Sequence, residues 1–454
     1  MADAAGRLAA LVERATGSPL PLRVRAWDGS EAGPPPAPGA PLVVIRDRRA
    51  LRRVLYKPGE LGLARAWVAG EIDIEGDLYA ALDALAGSIW ERDDPAGGAG
   101  RDGVVGKALR GLSAARSLGD ASVRAMLREA VALAGPGLPP PPPAEEVRRA
   151  AGPRHTLSRD RRAISHHYDV GNAFYERVLG PSMVYSCAYW EKPGGTLEDA
   201  QASKLDLICR KLGLREGMRL LDVGCGWGSM VLHAARHHGV TAVGVTLSTE
   251  QAAFARERIA REGLADRIEI RVQDYREVAD GPFDAISSIG MAEHVGSAQY
   301  LAYAGTLYGL LVPGGRLLNH QIARRPMDDE SGYEVDAFID AYVFPDGELA
   351  PVGTTVSLLE RAGFEARDVE ALREHYALTL RAWVANLEDH WAEAIRLTTP
   401  GRARVWRLYM AASALAFEHN RIGVNQILAV RPERDGGSGL PATRAAWLAA
   451  PEGS

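Results

Sequence analysis

MRLLDVGCGWGSMVLHAARHHGVTAVGVTLSTEQ, residues 218–251, holds a strand, a glycine loop, a helix and a second strand in direct succession. MRLLDVG (218–224) is a short apolar run of the kind a buried strand requires. GCGWGSMVLHAARHHG reads as loop and helix, and VTAVGVTLS (240–248) as the next strand. The alternation continues outward. TEQAAFARERIAREG predicts a helix stopped by Gly263, RIEIRVQD a third strand, and FDAISSIG (283–290) a fourth. SAQYLAYAGTLYGLL predicts a helix, after which VPGG turns the chain into RLLNHQI, strand five. Strands alternating with helices predict an α/β fold, a parallel sheet with helices on both faces. Ligands of such sheets bind beyond the carboxyl ends of the strands, so the residues that follow each strand are the candidates for chemistry.

The loop Asp222-Val-Gly-Cys-Gly-Trp-Gly228 has the spacing G-x-G-x-G, not the dinucleotide G-x-G-x-x-G. Gly224 and Gly226 allow a sharp turn and a close approach of backbone to ligand. Asp222 lies two residues before the first glycine. A carboxylate there repels a pyrophosphate but suits an ammonium or sulfonium, both of which S-adenosylmethionine (SAM) carries. After strand three, Gln273 and Asp274 offer an amide and an acid to an adenine edge, or form an ordinary strand-end turn. The turn LVPGGRLL is common in SAM-dependent methyltransferases. Strand two ends without the acid that often holds the ribose in those enzymes, leaving Thr246, Ser248 or Gln251 to serve. Together these features favour SAM over NAD.

Composition narrows the class. The 454 residues are 46% hydrophobic and 24% charged with a net charge of −5, which gives no reason to expect nucleic-acid binding. No apolar run reaches the roughly 18–20 residues of a membrane span, and MADAAGRLAALVERATG is interrupted by charges where a signal peptide is apolar. Cys187, Cys209 and Cys225 have no CxxC spacing, so neither a disulfide framework nor a metal site is expected. Five consecutive prolines in GPGLPPPPP (135–143) mark a spacer. The expected division is an accessory region at 1–134, a Pro/Arg-rich linker at 135–160, a catalytic domain at 161–432 and a loose tail at 433–454. In the accessory region PLVVIRD predicts a strand, Arg48–Leu55 a helix, LGLARAWVAGEIDIEGDLYAALDAL a turn, short strand and helix, and residues 106–135 a helical pattern. Six arginines against one acid between Arg148 and Arg162 read as a solvated linker or as a patch for anionic headgroups.

HHYDVGNAFYERVLGPSMVYSCAYW, LDVGCGWG, GVTLSTEQ, VQDYRE, SIGMAEHVG, PGGRLLNHQI and HYALTLRAW follow one another in this order. Together they resemble the cyclopropane-fatty-acyl-phospholipid synthases and their mycolic-acid-modifying relatives, over roughly residues 160–430. One departure is Ala173, where many members carry an acid. The resemblance implies a Rossmann-like SAM-dependent methyltransferase domain with a seven-stranded, mostly parallel sheet and a smaller α+β accessory domain that contacts lipid. It implies methyl or methylene transfer from SAM to the cis double bond of an unsaturated phospholipid acyl chain, through a carbocation that bound bicarbonate deprotonates. The product is a cyclopropane, or a methylene-branched chain as in the tuberculostearic-type branch. By the same resemblance Cys187, Glu293, His320, the backbone of Ile322 and Tyr376 hold the bicarbonate. Tyr185, Ser186, Gly224, Gly226, Thr246, Leu247, Gln251 and Gln273 hold SAM, with Asp222 and Asp274 beside them. Tyr168, Phe174 and Tyr189 are candidates for stabilising the cation through their faces. The family also implies a cytoplasmic enzyme touching the inner face of the membrane, and a homodimer.

Each residue type has an ordinary use as well. Cys187 can be a small core residue, His320 a satisfied strand-end histidine, Tyr376 a core aromatic and Glu293 a helix-start acid. Two other functional classes fit the same fold: a methyltransferase for small amines or phenols, and a lipid-binding protein without catalysis.

Overall fold

The computed structural model describes residues 3–89, 121–147 and 170–445. The arginine-rich run at 148–162, Tyr168, the first part of the 106–135 pattern and the last residues of the tail lie outside the described residues. The chain forms two compact units.

The first unit comprises residues 1–148 together with 327–343 and 399–415, so it is discontinuous in sequence. Its four-stranded sheet has the order β2-β1-β3-β4, from β1 (Arg23–Arg25), β2 (Glu31–Ala32), β3 (Leu42–Ile45) and β4 (Ile72–Glu75). Leu8, Val24, Ile45, Ala50 and Ala66 form its small core. LGLARAWV is a helix, Glu60–Val68, and not the expected turn. Gly62 lies in its first turn. Its role is contact, because a Cβ there would lie 2.2 Å from the Lys57 carbonyl oxygen at the end of the preceding helix. The prolines lie against the same helix, with Arg53 Nη1 donating to the Pro141 carbonyl at 2.7 Å and Arg52 Nη1 to that of Pro136 at 3.1 Å. The later segments join by specific bonds. The Trp67 indole donates to the Arg404 carbonyl at 2.9 Å, and the Arg404 Nε to that of Trp67 at 2.6 Å. Val147 N donates to the Ala341 carbonyl at 2.8 Å.

The second unit holds a seven-strand path, β11-β12-β9-β8-β5-β6-β7. Its members are β5 (Arg219–Val223), β6 (Thr241–Thr246), β7 (Ile268–Val272), β8 (Phe283–Ile289), β9 (Leu311–Arg324), β11 (Glu365–Ala371) and β12 (Ile422–Val430), while β10 (Ala350–Pro351) extends the end of β9. The neighbours pair in parallel, except that β12 runs antiparallel to both β9 and β11. This is the seven-stranded, mostly parallel sheet expected, with all five anticipated strands in place. VPGG is not a turn ahead of the fifth strand. The helix Tyr300–Leu310 passes directly into β9, and the register with β8 shifts between Phe283↔Leu311 and Ala285↔Arg316. Gly314, at φ +78°, lies in that irregular stretch and donates its N–H to the Arg431 carbonyl at 2.7 Å. The two glycines therefore make a bulge inside the strand.

From β5 the chain fills one flank with β6 and β7, then returns to the other with β8 and β9. The reversal between β5 and β8 is the switch point at which a crevice opens. The glycine loop sits there, with the N–H groups of Gly224 and Cys225 both donating to the Val245 carbonyl at 3.0 Å. Gly224 has φ +78°, and a Cβ on it would lie 2.8 Å from Met291 Cγ. Gly224→Ala is therefore expected to destabilise the chain by about 1–3 kcal/mol. Urea unfolding at unchanged m-value measures this, and wild-type stability would show that the loop tolerates a side chain.

Candidate active site

A cavity of about 150 Å³ opens at this switch point, and its walls come from the ends of β5, β6, β7 and β8 and from the segment 183–186. All ten residues assigned to the cofactor from the sequence line it: Tyr185, Ser186, Asp222, Gly224, Gly226, Thr246, Leu247, Gln251, Gln273 and Asp274. Asp222 Oδ1 accepts from Ser287 Oγ at 2.7 Å, and burial pushes its carboxyl up to about 6 against the pull of that bond and of Lys204. The Thr246 hydroxyl donates to Gln251 Oε1 at 2.8 Å, which ties the end of β6 to the helix Thr249–Arg261. Gln273 Nε2 donates to the Glu277 carbonyl at 2.9 Å. Asp274 caps the turn that follows β7 and holds Arg276 Nε and Nη2, each at 2.8 Å. The strand-end turn is thus present in the same residues that face the cavity.

The five residues assigned to the chemistry do not line this cavity. They lie beside it in two groups. Glu293 Oε1 accepts from Ile322 N at 2.8 Å, bringing those two together, and His320 is two residues before Ile322 on β9, on the same face. Cys187 and Tyr376 share the Leu372 carbonyl: the thiol is 3.6 Å from it, and Tyr376 N donates to it at 3.1 Å. Leu372 N in turn donates to the carbonyl of Val424, the residue paired with Ile322 across β12 and β9. The groups are therefore joined through the sheet.

Several of these buried polar atoms have no hydrogen-bond partner, namely Glu293 Oε2 and both ring nitrogens of His320. Buried polar atoms are nearly always satisfied, so this cluster points to a missing polar ligand. Burial pushes the Glu293 carboxyl up to about 7, against the bond from Ile322. Burial, then the charges of Lys204 and Lys211, hold the His320 imidazole well below its usual value and so neutral. Burial also raises the Cys187 thiol, which leaves it a hydrogen-bond donor and not a thiolate. A neutral imidazole, a thiol and a carboxyl that titrates near neutrality suit a small hydroxylated oxyanion such as bicarbonate.

Phe174 is fully buried edge-on to Tyr175, and Tyr189 stacks on His375 at 4.8 Å; neither lines the cavity. Sequence reasoning missed Lys204. It is 1% exposed, lines the cavity, donates to Ser186 Oγ at 2.9 Å, and is pulled down to about 8 by burial. The signal lay in the helix Leu197–Leu212, where Leu197, Ala200, Lys204 and Ile208 form one buried stripe with a lysine in it. A cavity bounded by a buried acid and a buried ammonium fits a zwitterionic amino-acid moiety such as that of SAM.

Residues 155–427 match the family described as mycolic acid cyclopropane synthetase. A probable fatty acid methyltransferase of Mycobacterium tuberculosis is 42% identical over 93% of this chain and 93% of its own length. The cyclopropane-fatty-acyl-phospholipid synthase of Escherichia coli strain K12 is 39% identical over 60% of this chain and 68% of its own. The crystal structure of the mycolic acid cyclopropane synthase CmaA1, complexed with SAH and CTAB, superposes with a TM-score of 0.56 at 32% identity, covering 59% of this chain and 97% of that one.

Glu293 also sets a pH test. A carboxyl whose value is raised by folding contributes stability that is complete below its unfolded value and is lost as pH rises through about 7. Between pH 5 and 8 the wild type should therefore lose about 2–3 kcal/mol relative to Glu293→Gln, whose amide oxygen keeps the bond from Ile322. Parallel pH–stability curves would show that Glu293 is not a buried acid.

Proposed function

Because the chain belongs to the mycolic acid cyclopropane synthetase family of SAM-dependent methyltransferases, we propose that it methylates the cis double bond of an unsaturated fatty acyl chain in a phospholipid. The observation that carries this reading is the pairing of two sites: a cavity with opposed buried charges, and beside it a cluster in which Glu293 Oε2 and both His320 ring nitrogens are buried without a hydrogen-bond partner among the described residues. A methyltransferase for amines or phenols needs only the first. The relatives point the same way, one named for fatty acids and matching 93% of this chain, the other for phospholipid acyl chains and matching 60% of it.

Bound SAM supplies an electrophilic methyl, and bound bicarbonate supplies the base that a weakly nucleophilic alkene requires after methylation. The protein's own residues orient and protect. Lys204 would hold the carboxylate of the methionine moiety and Asp222 its ammonium, since both line the cavity. His320, Cys187, Tyr376, Glu293 and the backbone of Ile322 would hold the anion. The buried aromatics Tyr175, Trp227 and Trp383 and the half-buried Tyr185, with neighbouring ring centroids 4.7–5.7 Å apart, would keep water from the region in which a carbocation develops. Loss of a proton from the new methyl closes a cyclopropane, and loss after a hydride shift leaves a methylene branch. A phospholipid acceptor places the enzyme at a membrane surface; among the described residues no helix is long and apolar enough to cross it.

The test is incubation with SAM, bicarbonate and vesicles of cis-monounsaturated phospholipid, followed by mass and proton NMR spectra of the released fatty acids. A gain of one CH₂ with upfield ring protons identifies the cyclopropane, and the same gain with vinylidene protons the methylene branch. SAM binding without any lipid product would transfer the assignment to a small acceptor, or to lipid binding without catalysis.

Lys204→Met, close in volume but uncharged, should raise the KM for SAM about tenfold or more while the fold persists, since a charge-assisted bond is worth about 1.5–3 kcal/mol. An unchanged KM would remove Lys204 from cofactor binding.

A further inference from the structure

Within the second unit, the helix Leu197–Leu212 and the helix Ser229–His238 bring a different set of residues together. The first contributes Asp206 and Cys209, one turn apart; the second contributes His233 and His238. One ligand atom each from Cys209, His233 and His238 lies within 4.8 Å of the other two. Asp206 Oδ1 is 3.4 Å from His238 Nε2 and 4.0 Å from His233 Nε2, while its Oδ2 is engaged by Arg210 Nε at 2.7 Å. Cys209 is fully buried, and the two imidazoles and the carboxylate are between 13% and 30% exposed, which leaves the set reachable from solvent.

We infer that Asp206, Cys209, His233 and His238 form a tetrahedral site for a zinc-class divalent ion, separate from the methyl-transfer chemistry. Zinc bound by nitrogen, oxygen and sulfur at about 2.0–2.3 Å spaces its ligands about 3.3–3.8 Å apart, so the Asp206–His238 edge, at 3.4 Å, is already that of a ligand pair, and the Cys209, His233 and His238 atoms, within 4.8 Å of one another, draw together to close the set. Imidazole with thiolate selects a borderline ion of this kind over magnesium or calcium, which prefer oxygen. The Nε2 atoms of His233 and His238 are both buried without a hydrogen-bond partner, the condition a metal bond relieves. Cys209 binds as thiolate and releases its proton to solvent. His237 lies tilted against His233, with ring centroids 4.5 Å apart, but is outside the ligand set. The ion would clamp the helix that carries Lys204 to the helix that leaves the glycine loop, so occupancy should stiffen the floor of the cofactor cavity.

The untagged full chain, stripped with chelator and dialysed, is titrated with Zn²⁺ against a chromophoric competitor and separately with Co²⁺. The site predicts one equivalent of tightly bound Zn²⁺ per chain and a higher Tm on binding. It also predicts a four-coordinate Co²⁺ spectrum with a thiolate charge-transfer band. That band disappears in Cys209→Ser. His233→Gln and His238→Gln each weaken Zn²⁺ at least about tenfold, whereas His237→Gln binds as the wild type does. Circular dichroism establishes that each variant is folded. Absence of a stoichiometric site in the folded wild type overturns the inference, and so does undiminished binding in the folded His233→Gln/His238→Gln double variant. Neither result bears on methyl transfer.

Discussion

Thr379 Oγ1 fixes the segment that carries Tyr185, Ser186 and Cys187. That segment has no helix or strand of its own, so nothing periodic holds its backbone. The hydroxyl accepts from Ala188 N at 3.1 Å and from the Trp190 indole at 3.1 Å, and donates to the His375 carbonyl one turn earlier at 2.7 Å. One residue of the helix Arg373–Asp389 thus satisfies three groups at once, all buried or nearly so. His375 adds a bond from Trp190 N to its Nδ1 at 2.8 Å. YSCAYW and HYALTLRAW, almost two hundred residues apart, are two halves of one clasp. The clasp places Ser186 against Lys204, and Cys187 against the carbonyl shared with Tyr376.

Lys204 then joins the two sites electrically. Its charge acts on Asp222 and on Cys187, and it helps keep His320 neutral. A buried ammonium is tolerated where opposite charge or strong dipoles compensate for lost water. Here a single neutral hydroxyl, that of Ser186, bonds it. Asp222 feels it, but with a carboxyl raised to about 6. The compensation is therefore incomplete, and an anionic ligand group in the cavity would add to it.

The sheet was legible because β5, β6 and β8 are nearly continuous apolar runs, the signature of strands covered on both faces. β11, with its exposed and charged EARDVEA pattern, gave no such signal. Glycine was ambiguous in both directions. At Gly62 it marks a helix–helix approach, and at Gly314 a bulge, though both look like turns in one dimension. Most of the residues proposed for the cofactor lie at or just beyond strand ends, where the topology converges, whereas Tyr185 and Ser186 lie on a loop and came from the family resemblance alone. Lys204 and the Asp206, Cys209, His233, His238 set were not legible. Their partners come from different helices, and tertiary packing, not local spacing, creates the proximity.

The same packing explains how a nearly uncharged interior can serve an ionic reaction. Burial moves Asp222 and Glu293 up and Lys204 down, all toward neutrality, to about 6, 7 and 8. Each group stays close to the pH at which its charge is decided, so a ligand of matching charge recruits the charged form at small cost. A zwitterion in the cavity favours ionised Asp222 and protonated Lys204 together. An oxyanion beside Glu293 favours the protonated acid, which can donate to it from Oε2. Charge therefore arises where a ligand sits, and the neighbouring aromatic side chains carry none.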